Sequence, residues 1–336
     1  MLERVGVIAD EVLFPAALDV DAKGMIPPGH FDLLAAEGYY GLVGPAEHGG
    51  GEVDLPSFAA IIEILAGGCL TTTFTWIQHH SMVRGLTRPT NVDLREKYLD
   101  AAIRGQVRGG VAFAGAIPQP PRLWATATDG GWLLRGDAPF VSGWGIIDVL
   151  LVSARDAEDK SMIISGLISP EAGGGITVEE LHLVAAQGTN TVRLRFADYF
   201  LPAERLVARV SHVDFLANQH VSSRLNGSLA LGVAGRCVRL IEEAGRPEVA
   251  ARLRTEQDVI RGRLDAGLTD PPILPPARAA ASELAYRAAG ALVITRGSTG
   301  ILAHQHAQRL VREATFTLVA AGRPEIKNAL LEAFAR

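Results

Sequence analysis

A chain of 336 residues, 48% hydrophobic and 21% charged, is long enough for two or three packed units and has the balance of a globular protein. Its 32 basic and 37 acidic residues leave a net charge of −5 with no basic block, which argues against nucleic acid as a partner. The opening Met1-Leu2-Glu3-Arg4-Val5 lacks the basic segment and apolar core of a signal peptide, and no uninterrupted apolar stretch reaches about 18 residues, so a cytoplasmic setting without a membrane is expected. Cys69 and Cys237 are too few for a disulfide framework or a four-cysteine zinc site, and they read as two reduced, buried thiols.

Residues 1–108 read mostly as helix. Phe31–Glu37 has helical spacing and stops near Gly38. Phe58–Ala66 is a second helix, ended by Gly67-Gly68, and Leu94–Ile103 is a third, with Gly105 as its C-terminal cap. Gly49-Gly50-Gly51 reads as a loop. Residues 109–208 change character. Val111–Ala114, Trp132–Arg135, Val149–Ser153 and Met162–Ser165 are short apolar runs, Thr191–Phe196 alternates with period two, and Asp129-Gly130-Gly131 fits a hairpin turn. From 209 the pattern returns to helix, with apolar stripes at 222–243, 247–267, 276–295, 303–319 and 324–334. Pro271–Pro276 interrupts them. Helix, then strand, then helix predicts an α+β chain with segregated layers, divided as 1–108, 109–208 and 209–336.

Generic motifs exclude more than they assign. No Gly-x-Gly-x-x-Gly follows a strand and opens a helix, no Walker loop is present, and no Gly-x-Ser-x-Gly elbow supports serine hydrolysis. Gly232-Val233-Ala234-Gly235 lies inside a helical pattern, where it permits close helix packing. His79-His80 and His304-x-His306 lack the i,i+4 spacing of helical metal ligands, so no metal is expected.

Several runs go further. Arg309-Leu310-Val311-Arg312-Glu313-Ala314, leading into Phe316–Gly322, resembles the C-terminal signature of the acyl-CoA dehydrogenase superfamily. Gly41–Gly50 is similar to its Gly-Leu…Pro-x-x-x-Gly-Gly turn. Trp132–Gly136 followed by Phe140-Val141-Ser142-Gly143 resembles its Trp-Ile-Thr strand and loop. Gly188-Thr189-Asn190-Thr191 with Phe196–Glu204 resembles its Gly…Thr…Phe-Asp-Asp segment. The order and spacing of these runs hold over nearly the full length. The resemblance implies an acyl-CoA dehydrogenase-like α+β fold: an N-terminal helical domain, a middle β-domain and a C-terminal four-helix bundle. It implies an oligomer that binds FAD between sheet and bundle, partly across a subunit interface. The implied activity is that of a flavoprotein oxidoreductase of fatty acid or lipid metabolism, α,β-dehydrogenation of an acyl-CoA thioester.

Carried onto this chain residue by residue, the resemblance places Phe113, Gly115 and Ala116 at the flavin's pyrimidine edge. Phe140 and Ser142 fall against the ring and its N5, with Trp144 adding surface. Arg246, with Gln257 eleven residues on, falls at the pyrophosphate, and Gly297 opens a Gly-Ser-Thr-Gly turn where Arg296 or Ser298 replaces a lost glutamine. Arg224 matches a substrate-side arginine. The family's catalytic glutamate has two placements, here Ala321 and Ser223, and neither side chain serves as an unaided base near neutral pH. His304 and His306 are the titratable substitutes, and Glu313 reads as half of a structural ion pair. Two other readings follow from the missing base. One is a non-catalytic partner subunit in a hetero-oligomer with a related chain that holds the glutamate. The other is a flavin monooxygenase on the same fold. The acyl chain and the electron acceptor are not legible.

Overall fold

The computed structural model describes residues 1–87 and 92–335. Helices α1 (Leu2–Val7), a π-helical turn (Ile8–Leu13) and α2 (Phe14–Lys23) follow one another without leaving helical dihedrals. The wide turn falls just ahead of Pro15, whose ring has no N–H for the ladder. Then come α3 (Pro28–Ala36), α4 (Leu55–Gly68), α5 (Leu70–Ile77), α6 (His79–Leu86) and α7 (Val92–Ile103). Helix α4 ends at Gly68, as the Gly67-Gly68 stop suggests, and takes in both glycines. A Cβ on Gly67 would stand 3.1 Å from the Gly232 carbonyl, and one on Gly68 would stand 2.7 Å from the Ala9 carbonyl. These glycines permit close approach of neighbouring helices.

The strands are β1 (Gly109–Ala112), β2 (Leu123–Thr128), β3 (Gly131–Val141), β4 (Val149–Asp156), β5 (Met162–Ile168), β6 (Ile176–Glu180), β7 (Val192–Pro202) and β8 (Leu206–Ser211). They form one 8-stranded sheet in the order β6-β7-β3-β2-β4-β5-β8, with β1 parallel to β4. Every residue of β4 is buried, so this strand is covered on both faces, and its first four residues, Val149–Val152, read as an apolar run.

The last layer holds α8 (His212–Glu243), α9 (Pro247–Ala266), α10 (Leu274–Arg296), α11 (His306–Val319) and α12 (Pro324–Phe334). Helix α8 begins ten residues before the apolar stripe suggests, because Ser211 Oγ caps it by accepting from the Asp214 N–H at 3.0 Å. The helical run is interrupted between Ala266 and Leu274, as expected, but Pro275 and Pro276 fall beyond the break. They sit in the first turn of α10, where a missing N–H costs nothing.

One apolar core draws on both helical layers: Ile61, Leu65 and Trp76 pack in the same cluster as Leu229, Val233, Leu284 and Leu310. The sheet keeps its own core around Leu134, Val152 and Leu194. At the α4–α8 crossing a Cβ on Gly232 would fall 2.3 Å from the Glu63 carbonyl, so the packing role expected of this glycine holds. The helical layers therefore act as one body against which the sheet is set, and the seam between them positions the residues discussed next.

Candidate active site

The pairing of β3 with β7 slips between Leu134 and Gly136 and again, after Ala138↔Leu194, before Val141↔Val192. A slip of this kind re-aims a side chain. Phe140 lies in the second, with φ +54° and 66% exposed, while Ser142 two residues on is buried. The chain beyond Ser142 is clasped to a 3-10 turn at Gln187–Thr189. Gly143 N–H donates to the Thr189 carbonyl at 2.7 Å, and Trp144 N–H to the Asn190 carbonyl at 3.2 Å. That turn is wedged between the end of α2 and α5. A Cβ on Gly24 would stand 2.8 Å from Gln187 Cγ, and one on Gly188 would stand 3.2 Å from Thr71 Cγ2. Ser142 Oγ lies 2.7 Å from Thr191 Oγ1, which lies 2.7 Å from Thr189 Oγ1. The sequence reading singled out Phe140 and Ser142 but gave no role to Thr189, Thr191 or the buried threonines of α5. The signal was available in the i,i+2 spacing of Thr189 and Thr191 and in the run Thr71-Thr72-Thr73.

The β1–β2 connection differs from expectation. Ala116 N–H donates to the Phe113 carbonyl at 3.0 Å, and the Ala116 carbonyl accepts from Arg155 at 2.7 Å. A Cβ on Gly115 would press to 2.5 Å from the Asp137 carbonyl. Gly115 and Ala116 are thus closed in, and the Ala116 donor is spent within the chain rather than offered to a ring. Phe113 is half-buried, edge-on to Phe215 with centroids 5.4 Å apart.

Arg246 and Gln257 do not come together. Arg246 is exposed at the N-terminus of α9. Gln257 lies eleven residues further, about 16 Å along the helix at 1.5 Å per residue, and is buried. Its amide donates to Glu63 at 2.9 Å and to the Leu231 carbonyl at 3.0 Å. Gln257 instead shares a cavity of about 440 Å³, between α4, α8 and α9, with Arg224, Glu63, Arg261 and Asp265. The charges there are matched internally. Arg224 donates to Asp265 at 2.7 Å, and Arg261 pairs with Glu63 at 2.6 Å. Arg224 is therefore held by α9 and by Ser228 on its own helix. Gly297, with φ +61° and open space around it, supplies the left-handed turn that ends α10.

Neither base position carries a titratable group. Ala321 is exposed, with φ +50°, on the connection from α11 to α12. That connection is held from below by Arg278, which is buried and has no ion-pair partner among the described residues. Arg278 donates to the Thr317 carbonyl at 2.9 Å and the Ala320 carbonyl at 3.5 Å, and desolvation pushes its pKa down to about 10. It remains charged at neutral pH, where the carbonyl end of α11 favours a cation. Ser223 is buried in α8. His306 stacks on Phe14 at 4.0 Å, and its Nδ1 accepts from Arg309 Nε at 3.2 Å. Burial first, and then the charges of Arg309 and Arg236, push His306 down to about 4, too acidic for a base poised near neutrality. His304 stands exposed in the loop before α11. Glu313 is buried, paired with Arg309 at 2.6 Å, and accepts from the Leu70 N–H at 3.2 Å. Among the described residues no group of His, Cys, Asp or Glu is placed to hold a metal ion, and no helix is long and apolar enough to cross a membrane.

The family profile described as "Acyl-CoA dehydrogenase, N-terminal domain" matches residues 1–106. Benzylmalonyl-CoA dehydrogenase of Aromatoleum aromaticum is 25% identical over 237 residues, which cover 67% of this chain and 62% of that protein's length. The mitochondrial 2-methylacyl-CoA dehydrogenase of Solanum tuberosum is 22% identical over 98% of this chain and 88% of its own. Among solved structures, butyryl-CoA dehydrogenase from Megasphaera elsdenii superposes with a TM-score of 0.85 at 19% identity, covering 100% of this chain and 97% of that one. The layer order and sheet described above are those of this fold. The acyl-CoA dehydrogenase profile thus matches the first 106 residues, and the chain has the fold of these dehydrogenases, with alanine and serine at the two positions where the resemblance places a catalytic glutamate.

Proposed function

We propose that the chain is an FAD-dependent oxidoreductase acting on an acyl-CoA thioester. The observation that carries this reading is the corner at Phe140. A left-handed backbone costs a bulky residue about 1–3 kcal/mol and persists where the surroundings enforce it. Here the bulge enforces it on a ring left 66% exposed, so packing within this chain offsets little of the cost. A planar aromatic ligand stacked on that ring would offset it. The relatives named above act on acyl-CoA thioesters by their names, which is the substrate class adopted here.

FAD fits this corner. Phe140 and the half-buried Trp144 offer ring surface, and Ser142 offers a hydroxyl. Exposed Arg246 has no ion-pair partner among the described residues and suits a phosphate through paired hydrogen bonds, with the open turn at Gly297 as a second contact. Ala116 and Gln257 do not fit, because their donors are already engaged. When bound, FAD would supply the two-electron acceptor. The chain's own residues would stack, orient and exclude water around it, but they place no carboxylate at Ala321 or Ser223. His306 is neutral and occupied. Of the four positions read from the sequence, Ala321, Ser223, His304 and His306, His304 is the one left as a proton acceptor.

The exposed Ala321 favours a second reading beside the first: a related subunit carrying the intact glutamate works alongside this chain in a hetero-oligomer. Purification followed by acid release and chromatography tests for FAD. Anaerobic mixing of the loaded chain with a series of acyl-CoA thioesters, read as loss of flavin absorbance, tests for the reaction. A loaded chain that no thioester bleaches refutes the first reading, and bleaching by the chain alone refutes the second.

A further inference from the structure

Three buried hydroxyls stand in line behind Phe140. Ser142 Oγ is 2.7 Å from Thr191 Oγ1, Thr191 Oγ1 is 2.7 Å from Thr189 Oγ1, and Thr189 Oγ1 is 2.8 Å from the Ala186 carbonyl. Each hydroxyl has one proton to give and lone pairs to accept with. A carbonyl only accepts. When Thr189 donates to Ala186, Thr191 must donate to Thr189 and Ser142 to Thr191. Every proton is then spent inside the protein, and Ser142 keeps only lone pairs for a further partner. The opposite polarity satisfies the same distances: Thr189 donates to Thr191, Thr191 to Ser142, and Ser142 outward. The Ala186 carbonyl then keeps only the Thr189 N–H at 3.0 Å. The outward polarity therefore gives up one hydrogen bond, between Thr189 and Ala186.

We propose that this relay reverses with the redox state of the bound flavin and favours the reduced form, with Thr191 and Thr189 as positioning residues acting through Ser142. The inference rests on the FAD reading and on Ser142 facing N5. An oxidised isoalloxazine has a lone pair at N5, and its two-electron-reduced form carries N–H there. Against the reduced ring the relay runs inward: N5–H donates to Ser142, Ser142 to Thr191, Thr191 to Thr189 and Thr189 to Ala186. Against the oxidised ring it must run outward and lose the last of these. The reduced form keeps one more hydrogen bond. Its binding is therefore favoured over the oxidised form by about three- to tenfold, the weight of one neutral hydrogen bond, or about 15–30 mV for a two-electron couple.

Thr191→Val cuts the relay at its centre with little change in shape. Ser142 is then free to donate or accept equally, and the preference disappears. Thr191→Ser keeps the hydroxyl. The test is the midpoint potential of the bound flavin, measured by reductive titration against a reference dye in wild type, Thr191→Val and Thr191→Ser. The expected result is a potential lower by about 15–30 mV in Thr191→Val and unchanged in Thr191→Ser. Equal potentials in wild type and a flavin-loaded Thr191→Val overturn the proposal, as does an equal fall in both variants, which would trace the effect to packing. If Thr191→Val does not fold, Thr189→Val against Thr189→Ser poses the same question, because removing the relay's terminus abolishes the same difference. A wild-type chain that takes up no FAD at all overturns the cofactor reading itself, an outcome distinct from a loaded chain with unmoved potentials.

Discussion

Ala321→Glu restores a carboxylate where the superfamily signature expects one, and the structure bears on how large the gain should be. The backbone already holds a Cβ-bearing residue at φ +50° there, so the exchange adds no new left-handed strain. The position is exposed, which keeps the stability change within about 0.5 kcal/mol. Exposure also leaves the new carboxylate near its ordinary pKa of about 4.3, ionised at pH 7 but a weaker base than one tuned toward neutrality. A positioned base contributes about 10²–10⁴-fold, and the untuned carboxylate belongs at the lower end, about 10²-fold. A bound thioester that covers the turn would desolvate the carboxylate and raise the gain. The assay is anaerobic single-turnover reduction of FAD-loaded protein by saturated acyl-CoA thioesters, with Ala321→Gln as a control that fills the volume without supplying a base. Wild type should reduce slowly, Gln should match wild type, and Glu should exceed both. Equal rates in Gln and Glu, or fast reduction by wild type, would refute the placement of Ala321 beside the reacting carbon.

Arg246→Ala should lower FAD retention through dialysis, and Arg246→Lys should restore it only in part, since an ammonium cannot make the paired contact; full retention in Arg246→Ala would remove Arg246 from the site. Exposed Ile294, Ile301 and Leu302 at the end of α10 and Phe334 on α12 predict an oligomer, and sedimentation showing a stable monomer at micromolar concentration would contradict it. His80, buried between Phe58 and Trp76, is pushed by burial down to about 4, below an unfolded value of about 6.5, so its stabilising contribution is complete above pH 6.5 and is lost as pH falls toward 4. Between pH 7 and pH 5 that loss is about 2 kcal/mol at 1.36 kcal/mol per pKa unit, and His80→Phe should flatten the dependence of the urea midpoint on pH, an unchanged slope being the contrary result.

Layer order was legible because it rests on periodicity. Strand alternation in Thr191–Phe196 and helical stripes in the last third depend only on which face of an element meets the core. The packing role of glycine was less legible. Gly67 and Gly68 look like a stop in one dimension, and only the approach of α8 and of the π-helical turn shows that they are places where a side chain would collide. Site residues split in the same way. Phe140 and Ser142 lie on one short stretch whose spacing survives in sequence. Arg246 caps the helix that carries Gln257 eleven positions on, but α4 claims the glutamine through Glu63, and nothing in the local sequence announces that partner. The hydroxyl relay needs β3 and the turn before β7 brought together across 49 residues. A sequence can name its members but not their contact.

The groups that the FAD reading needs are mostly at the surface of the single chain. Phe140, Arg246, Gly297 and Ala321 are all exposed, whereas the polar groups paired within the chain, Arg224, Gln257 and Glu63, are buried or nearly so. Burial and internal pairing use up hydrogen-bonding capacity, so a residue satisfied within its own chain has little left for a ligand. Exposed ligand-facing groups bring the opposite difficulty, since water competes for each contact and weakens it. A cofactor held tightly by such groups requires a second surface to exclude that water. The exposed apolar ends of α10 and α12 are a physical reason to expect that surface from another chain. The same argument places the missing base: with Ala321 facing outward and Ser223 enclosed, a carboxylate that reaches the thioester has room to arrive from outside this chain and little room to arrive from within it.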